Sequence, residues 1–113
     1  MMSSKGEQTM VIEWLQFRVA EDQRERFVQL DSEIWTPALA RQDGFLGKDV
    51  WISAEQLEEV IAVIRWSSSE AWHSIPADEL EQVDQQFSTA MGSANYELLD
   101  SREYQVRKFS SPC

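Results

Sequence analysis

The pattern of apolar and polar positions predicts four β-strands in this chain. They cover residues 10–19, 45–53, 59–66 and 96–109. The third segment, EVIAVIRW, is apolar almost throughout, which is typical of a central strand covered on both faces. In the first segment Leu15 and Phe17 lie on one face, while Ile12 and Trp14 lie on the other. Both faces of the sheet are therefore expected to need a cover.

Apolar residues three and four positions apart predict a helical region between the first two strands. It begins at Asp22 and Glu25, which have the spacing of a capping box, and continues to about Ala38. Pro37 lacks an amide donor and disfavours helical geometry at the residue before it. The helix is therefore expected to kink or restart there, with Thr36 as a new cap.

A second helical region is predicted between the third and fourth strands. Ser67 and Glu70 have capping-box spacing, so Ser67 is expected to cap a helix that continues to about Ile75. Helical patterning resumes after Pro76 and continues through Met91. The order β-α-β-β-α-β predicts a ferredoxin-like α+β domain, with a four-stranded antiparallel sheet and helices on one face.

No segment remains to cover the other face of the sheet, so the sequence predicts a homodimer. Trp14 and Trp51 are expected in its interface, because aromatic side chains are enriched in interface cores. The predicted domain spans residues 10–109. Residues 1–9 are expected to form a disordered leader and residues 110–113 a flexible tail.

Composition excludes several classes of partner and site. A net charge of −10 argues against nucleic acid and anionic membranes as partners. No signal peptide is recognisable, and no apolar run approaches the roughly 20 residues of a membrane span, so a cytoplasmic location is expected. The single cysteine, Cys113, cannot form an intrachain disulfide, and with one histidine no metal site is expected.

Candidate chemistry concentrates at the junction after the third strand, where Trp66, Trp72 and His73 follow one another. Trp66 and Trp72 are predicted to line a ligand cleft between sheet and helices, closed from the first helix by Trp35. His73 alone titrates near neutral pH, so it is the candidate catalytic base or haem ligand. The alternatives stay open: Trp66 as a core residue, and His73 as a surface residue at the rim of the domain.

Some of these residues carry a resemblance to a known family. Gly44-Phe45 opens one strand, Arg65-Trp66-Ser67 closes the next, and Glu70-Ala71 precedes an aromatic-His step. This pattern resembles the dimeric α/β-barrel superfamily, in particular its antibiotic-biosynthesis-monooxygenase type and small uncharacterised cyanobacterial members. The likeness covers residues 10–109. It implies a dimeric barrel of two ferredoxin-like domains.

The resemblance implies two classes of function, because the superfamily includes oxygenases, isomerases, haem-degrading enzymes and members without known activity. The first is an uncharacterised protein that binds a small aromatic ligand in the sheet–helix cleft. The alternative is a cofactor-independent or haem-related monooxygenase acting on an aromatic or polycyclic substrate. Haem-degrading members pair a strand-end tryptophan, matched by Trp66, with an asparagine that the first strand lacks. No cofactor is therefore expected, and whether the protein is an enzyme stays open.

Overall fold

The computed structural model describes residues 9–108. Its sheet contains β1 (Val11–Val19), β2 (Phe45–Ile52), β3 (Glu59–Trp66) and β4 (Tyr96–Gln105). Helices α1 (Arg24–Leu30) and α2 (Thr36–Ala40) connect β1 to β2, and α3 (Ser69–His73) and α4 (Ala77–Met91) connect β3 to β4. The predicted order of elements is confirmed. Apart from Thr9, the predicted leader lies outside the described residues, as does the predicted tail at 110–113.

The strands lie in the order β2-β3-β1-β4, and every neighbouring pair is antiparallel. The apolar strand β3 is central, as its sequence predicts. Strand β4 ends at Gln105, four residues before the predicted end. A bulge at Leu99 interrupts its pairing with β1, because Gln16 lies opposite Asp100 while Phe17 lies opposite Leu98. The result is a ferredoxin-like sheet with its helices on one face.

The face of the sheet that carries the helices forms the core. Two buried clusters occupy it, one around Trp66 and Ile64 and the other around Val19, Phe27 and Phe87. The Phe27 and Phe87 rings meet edge to face, with centroids 5.2 Å apart. Buried Val83, Phe87 and Met91 come from α4, so the predicted apolar stripe of this helix is confirmed.

The first helical region differs from the prediction at both points where a cap was expected. It begins with a 3₁₀ turn at Glu21–Gln23, and no side chain caps it. A π-helical turn, Asp31–Trp35, joins α1 to α2 without a restart. Thr36 has helical dihedrals (φ −61°, ψ −46°) and is therefore not a cap. In this wider turn the Thr36 amide donates to the Asp31 carbonyl five residues earlier, directly before Pro37, which has no amide donor.

The cap of α3 lies one residue later than predicted. Ser68 is the N-cap, and its hydroxyl accepts a hydrogen bond of 3.0 Å from the Ala71 amide. Ser67 still follows the strand, because its amide donates to the Gly44 carbonyl at 2.7 Å and continues the pairing of β2 with β3. Gly44 has φ +90°, and a Cβ there would lie 2.5 Å from that of Ala71, so only glycine fits.

The second face of the sheet carries no helix, and we call it the open face. Both Trp14 and Trp51 lie on it, as do Ile61 and Arg65. Trp51 is 52% exposed. The Arg102 guanidinium lies 5.3 Å from the centroid of the Trp14 ring, and Arg65 forms a 3.0 Å ion pair with Asp49. The predicted two-sided apolar character of the sheet is therefore confirmed.

Candidate ligand-binding cavity

A cavity of about 540 Å³ lies between the helices and the face of the sheet that they cover. Aromatic side chains form much of its wall: Phe17, Phe27, Trp35, Trp66, Trp72 and Phe87. Its exposed lining residues come mainly from α4, with Glu81 and Asp84, and from β4, with Leu98 and Ser101. The mouth therefore opens between these two elements. The size and the apolar wall are typical of sites for small organic ligands.

Three of the residues predicted for the cleft line this cavity. Trp66 approaches from the end of β3, Trp72 from α3 and Trp35 from the π-helical turn. Trp66 is fully buried and meets the Phe45 ring edge to face at 5.8 Å. Its indole is therefore part of the core and of the cavity wall at once, so the two alternatives considered for this residue are compatible.

His73 lies at the rim and does not line the cavity. Its side chain is 57% exposed and its ring stacks on Trp72, with centroids 4.2 Å apart. Its Nε2 lies 3.3 Å from the Glu103 carboxylate. Hydrogen bonds from Ser69 and then His73 lower the pKa of Glu103. The role of His73 as a catalytic base or haem ligand stays a prediction, and the geometry places it beside the mouth.

A partly buried carboxyl group that the sequence pattern did not predict for the site does line the cavity. Glu13 lies on the helix-covered face of β1, and one of its oxygens, Oε1, accepts a 3.1 Å hydrogen bond from the Trp66 indole. Burial raises the pKa of Glu13, although the Trp66 hydrogen bond and the charges of Lys48 and His73 oppose this shift. A sequence signal existed, because Glu13 is the charged member of the otherwise apolar row Val11, Leu15, Phe17 and Val19.

The wall on the β2 side contains a second polar group that the sequence did not reveal. Lys48 and Asp31 form a 2.6 Å ion pair, and each side chain is only 5% exposed. The Thr36 hydroxyl donates a 3.1 Å hydrogen bond to the other Asp31 oxygen. The carboxylate is thus fully engaged, as a buried charge requires. The π-helical turn supplies Asp31, so this unusual turn takes part in building the site.

The strand register places these groups in one row across the sheet. Glu103 lies opposite Glu13, which lies opposite Ile64, which lies opposite Lys48. Neighbouring strands are about 4.8 Å apart, so the backbones at Glu13 and Lys48 lie roughly 10 Å apart across the sheet. The cavity floor thus has a carboxyl group near its middle and an ammonium group at one end.

Comparisons with known proteins address the family of the chain. A model of the family described as antibiotic biosynthesis monooxygenase matches residues 10–75, more than half of the chain. No curated protein matches it.

Solved structures share the fold. A mutant form of SnoaB, a cofactor-independent oxygenase from Streptomyces nogalater, is similar with a TM-score of 0.66 and 18% identity, over 89% of this chain and 96% of that one. A putative antibiotic biosynthesis monooxygenase from Nitrosomonas europaea is similar with a TM-score of 0.67 and 13% identity, over 88% of this chain and 92% of that one. A conserved protein of unknown function from Bacteroides thetaiotaomicron, a possible oxidoreductase, is similar with a TM-score of 0.63 and 17% identity. The similarity covers 86% of this chain and 97% of that one. The cyanobacterial origin stays a prediction, but the chain belongs to the antibiotic biosynthesis monooxygenase family.

Proposed function

We propose that this protein binds a small, flat, aromatic ligand in the cavity between its sheet and its helices. The observation that supports the proposal is the cavity itself: about 540 Å³, walled by aromatic side chains and open between α4 and β4. Aromatic walls favour planar ligands through stacking and edge-to-face contacts. Within this wall Trp35, Trp66 and Trp72 are the proposed ligand contacts. The proposal assigns no reaction, in keeping with relatives of unknown function.

A second candidate is a monooxygenase that acts on such a ligand without a cofactor. Its support is the Glu13 carboxyl group in a desolvated cavity, together with the shared fold of SnoaB, a cofactor-independent oxygenase. An enclosed carboxylate can hold or remove a proton where water is excluded. We propose no resident haem, because the only histidine of the chain, His73, does not line the cavity.

We also propose that the protein is a homodimer joined through the open face. Trp51 is half exposed, and Trp14, Ile61 and Ile12 are only partly buried in the single chain. A second copy would remove this apolar surface from water, and pairing of one patch with itself suits a two-fold dimer.

The acidic chain limits the other partners that we propose. A net charge of −10 opposes binding to nucleic acid and to anionic membranes, both of which attract concentrated lysine and arginine. Within residues 9–108 no helix is long and apolar enough to cross a membrane. We place the protein in the cytoplasm as a proposal that rests on its sequence alone.

Ligand binding can be tested with anthraquinone, which quenches tryptophan fluorescence on close approach. We expect saturable quenching, because three of the five tryptophans line the cavity. Ala62 is a small residue on the cavity floor, so Ala62→Phe should fill the space and weaken binding at least about tenfold. The matched control Ala54→Phe, at an exposed loop position, should bind as the wild type does. Quenching that does not saturate, or that Ala62→Phe leaves unchanged, would contradict the proposal, provided circular dichroism shows that both variants fold.

A further inference from the structure

We propose that Glu13 is the hydrogen-bond and proton acceptor of the cavity, and that the natural ligand carries a weakly acidic hydroxyl group on an otherwise apolar skeleton. This inference rests on the proposed ligand site and adds the group that selects the ligand.

The Glu13 carboxyl group is held with one oxygen turned to a fixed donor. The Trp66 indole binds Oε1, and this indole cannot move away because its side chain is fully buried. An indole N–H donates only, so it cannot take up a proton from the carboxyl group. Among residues 9–108 no hydrogen bond reaches Oε2, and no buried side-chain oxygen lacks a partner, so Oε2 is accessible rather than orphaned. Since Glu13 lines the cavity, Oε2 is the acceptor left for a ligand.

The other charged groups around the cavity are less suited to this task. Asp31 has one oxygen on Lys48 and the other on Thr36, so both of its acceptors are used. Glu81 and Asp84 of α4 are exposed at the mouth, where water competes with a ligand for their oxygens. The remaining charged groups are His73 of α3 and Glu103 of β4. They lie at the rim and are hydrogen-bonded to each other.

The charge distribution also indicates in which form the ligand enters. Exposed Glu81 and Asp84 at the mouth, and the acidic chain as a whole, repel anions. A neutral hydroxyl compound meets no such barrier. When it ionises inside, the ligand O–H bond breaks, its electron pair stays on the ligand oxygen and the proton passes to Glu13 Oε2. The negative charge moves from Glu13 to the ligand, where it stays within the field of the positively charged Lys48 on the same floor.

This step changes no oxidation state and needs no co-reactant. The net charge of the cavity stays constant, so the step avoids the cost of creating a new buried charge. Burial raises the pKa of Glu13, which makes its carboxylate a better proton acceptor than an exposed one.

The test compares 4-nitrophenol with 4-nitroanisole, which has the same ring but no hydroxyl proton. Calorimetric titration is done at a pH between the pKa of a carboxyl group and that of 4-nitrophenol. The wild type should bind 4-nitrophenol about tenfold more tightly, as expected for a hydrogen bond to a charged acceptor. In Glu13→Gln the amide oxygen can keep the Trp66 hydrogen bond while the amide nitrogen, a donor, faces the cavity. This variant should reduce the preference to less than about twofold.

Each outcome separates this inference from the proposed function. Glu25→Gln, the same change at an exposed position of α1, should keep the full preference. If neither probe binds any variant, the ligand cavity itself is refuted and this inference fails with it. If both probes bind the wild type equally, or if Glu13→Gln keeps the preference, Glu13 is not the acceptor although the cavity still binds ligands. Loss of the preference in His73→Ala alone would assign the role to His73 instead.

Discussion

Single residues in the cavity show how burial changes the chemistry of a common side chain. Glutamate usually lies at the protein surface, but β1 places Glu13 on the helix-covered face of the sheet. It keeps one strong hydrogen bond, from Trp66, and loses much of its hydration. Trp66 in turn satisfies its only polar group without leaving the core. The two residues therefore satisfy each other's polar atoms. One hydrogen bond does not fully replace the lost hydration, so ionising the Glu13 carboxyl group still has a desolvation cost.

The pH dependence of stability should report this cost. A raised pKa means that the folded state binds the Glu13 proton more tightly than the unfolded state, so the contribution of Glu13 to stability falls as the pH rises through the folded pKa. Glu13→Gln removes the ionisation. Relative to the wild type, it should melt at a similar temperature near about pH 4 and at a higher temperature near about pH 8.

Differential scanning fluorimetry of both proteins across this pH range measures the effect. Glu25→Gln, the same change at an exposed position, is the control and should alter the melting temperature little. A difference in melting temperature that is constant with pH, or that favours the wild type more at high pH, would show that burial does not dominate at Glu13.

At the scale of elements, the ion pair Lys48–Asp31 connects the π-helical turn to β2. Both side chains are almost completely buried, and Thr36 completes the shell of Asp31. Such a pair is costly to break because the remaining charge is left without a partner, although the intact pair adds little net stability. The pair therefore fixes the position of the helices over the sheet more than it strengthens the fold.

Replacing one partner should therefore harm the protein more than replacing both. Lys48→Met leaves the Asp31 carboxylate unpaired and should lower the free energy of unfolding by about 3–5 kcal/mol. Combining it with Asp31→Leu should recover most of this loss, because no buried charge remains. Urea denaturation followed by tryptophan fluorescence gives both values.

A matched surface pair provides the control for this experiment. Arg18 and Glu97 form a 3.3 Å ion pair with side chains 41% and 58% exposed. Arg18→Met should change the free energy of unfolding by less than about 1 kcal/mol. A double variant as unstable as Lys48→Met alone would mean that the pair stabilises the fold by itself.

At the scale of the whole molecule, the open face is the surface through which the proposed homodimer would form. Its central strand presents Ile61 to this face, opposite Trp51 of β2 and Gln16 of β1, and Trp14 of β1 lies opposite the neighbouring Val63. A sheet face of this composition is more apolar than a water-exposed surface needs to be. The proposed homodimer would cover it and leave the ligand cavities on the outer, helical sides.

Light scattering coupled to size-exclusion chromatography tests the dimer. The wild type should have twice the 13.1 kDa mass of the chain at micromolar concentration. Ile61→Arg should give the monomer, because a charge would lie at the centre of the proposed interface. Leu57→Arg, at a loop residue that is 52% exposed, should remain dimeric. A wild-type protein that elutes as a monomer refutes the proposal.

The sequence by itself determined the order of the elements and which residues of β1 and β3 share a face. These properties are local, since they follow from the repeat of apolar residues over two or three and a half positions. The central place of β3 and the buried stripe of α4 could therefore be predicted. Trp35, Trp66 and Trp72 could be assigned to one cleft because large aromatic residues at element ends commonly lie in such seams.

Only the tertiary structure decided which polar groups the cavity contains. Glu13 meets Trp66 across 53 residues of sequence, and Asp31 meets Lys48 across 17. These meetings depend on strand register and on a π-helical turn, neither of which a local periodicity encodes. The same holds for the cap of α3, which is Ser68 rather than Ser67, while Ser67 extends the strand pairing through its bond to Gly44. Burial, and with it the raised pKa of Glu13, exists only once distant segments have excluded water from one another.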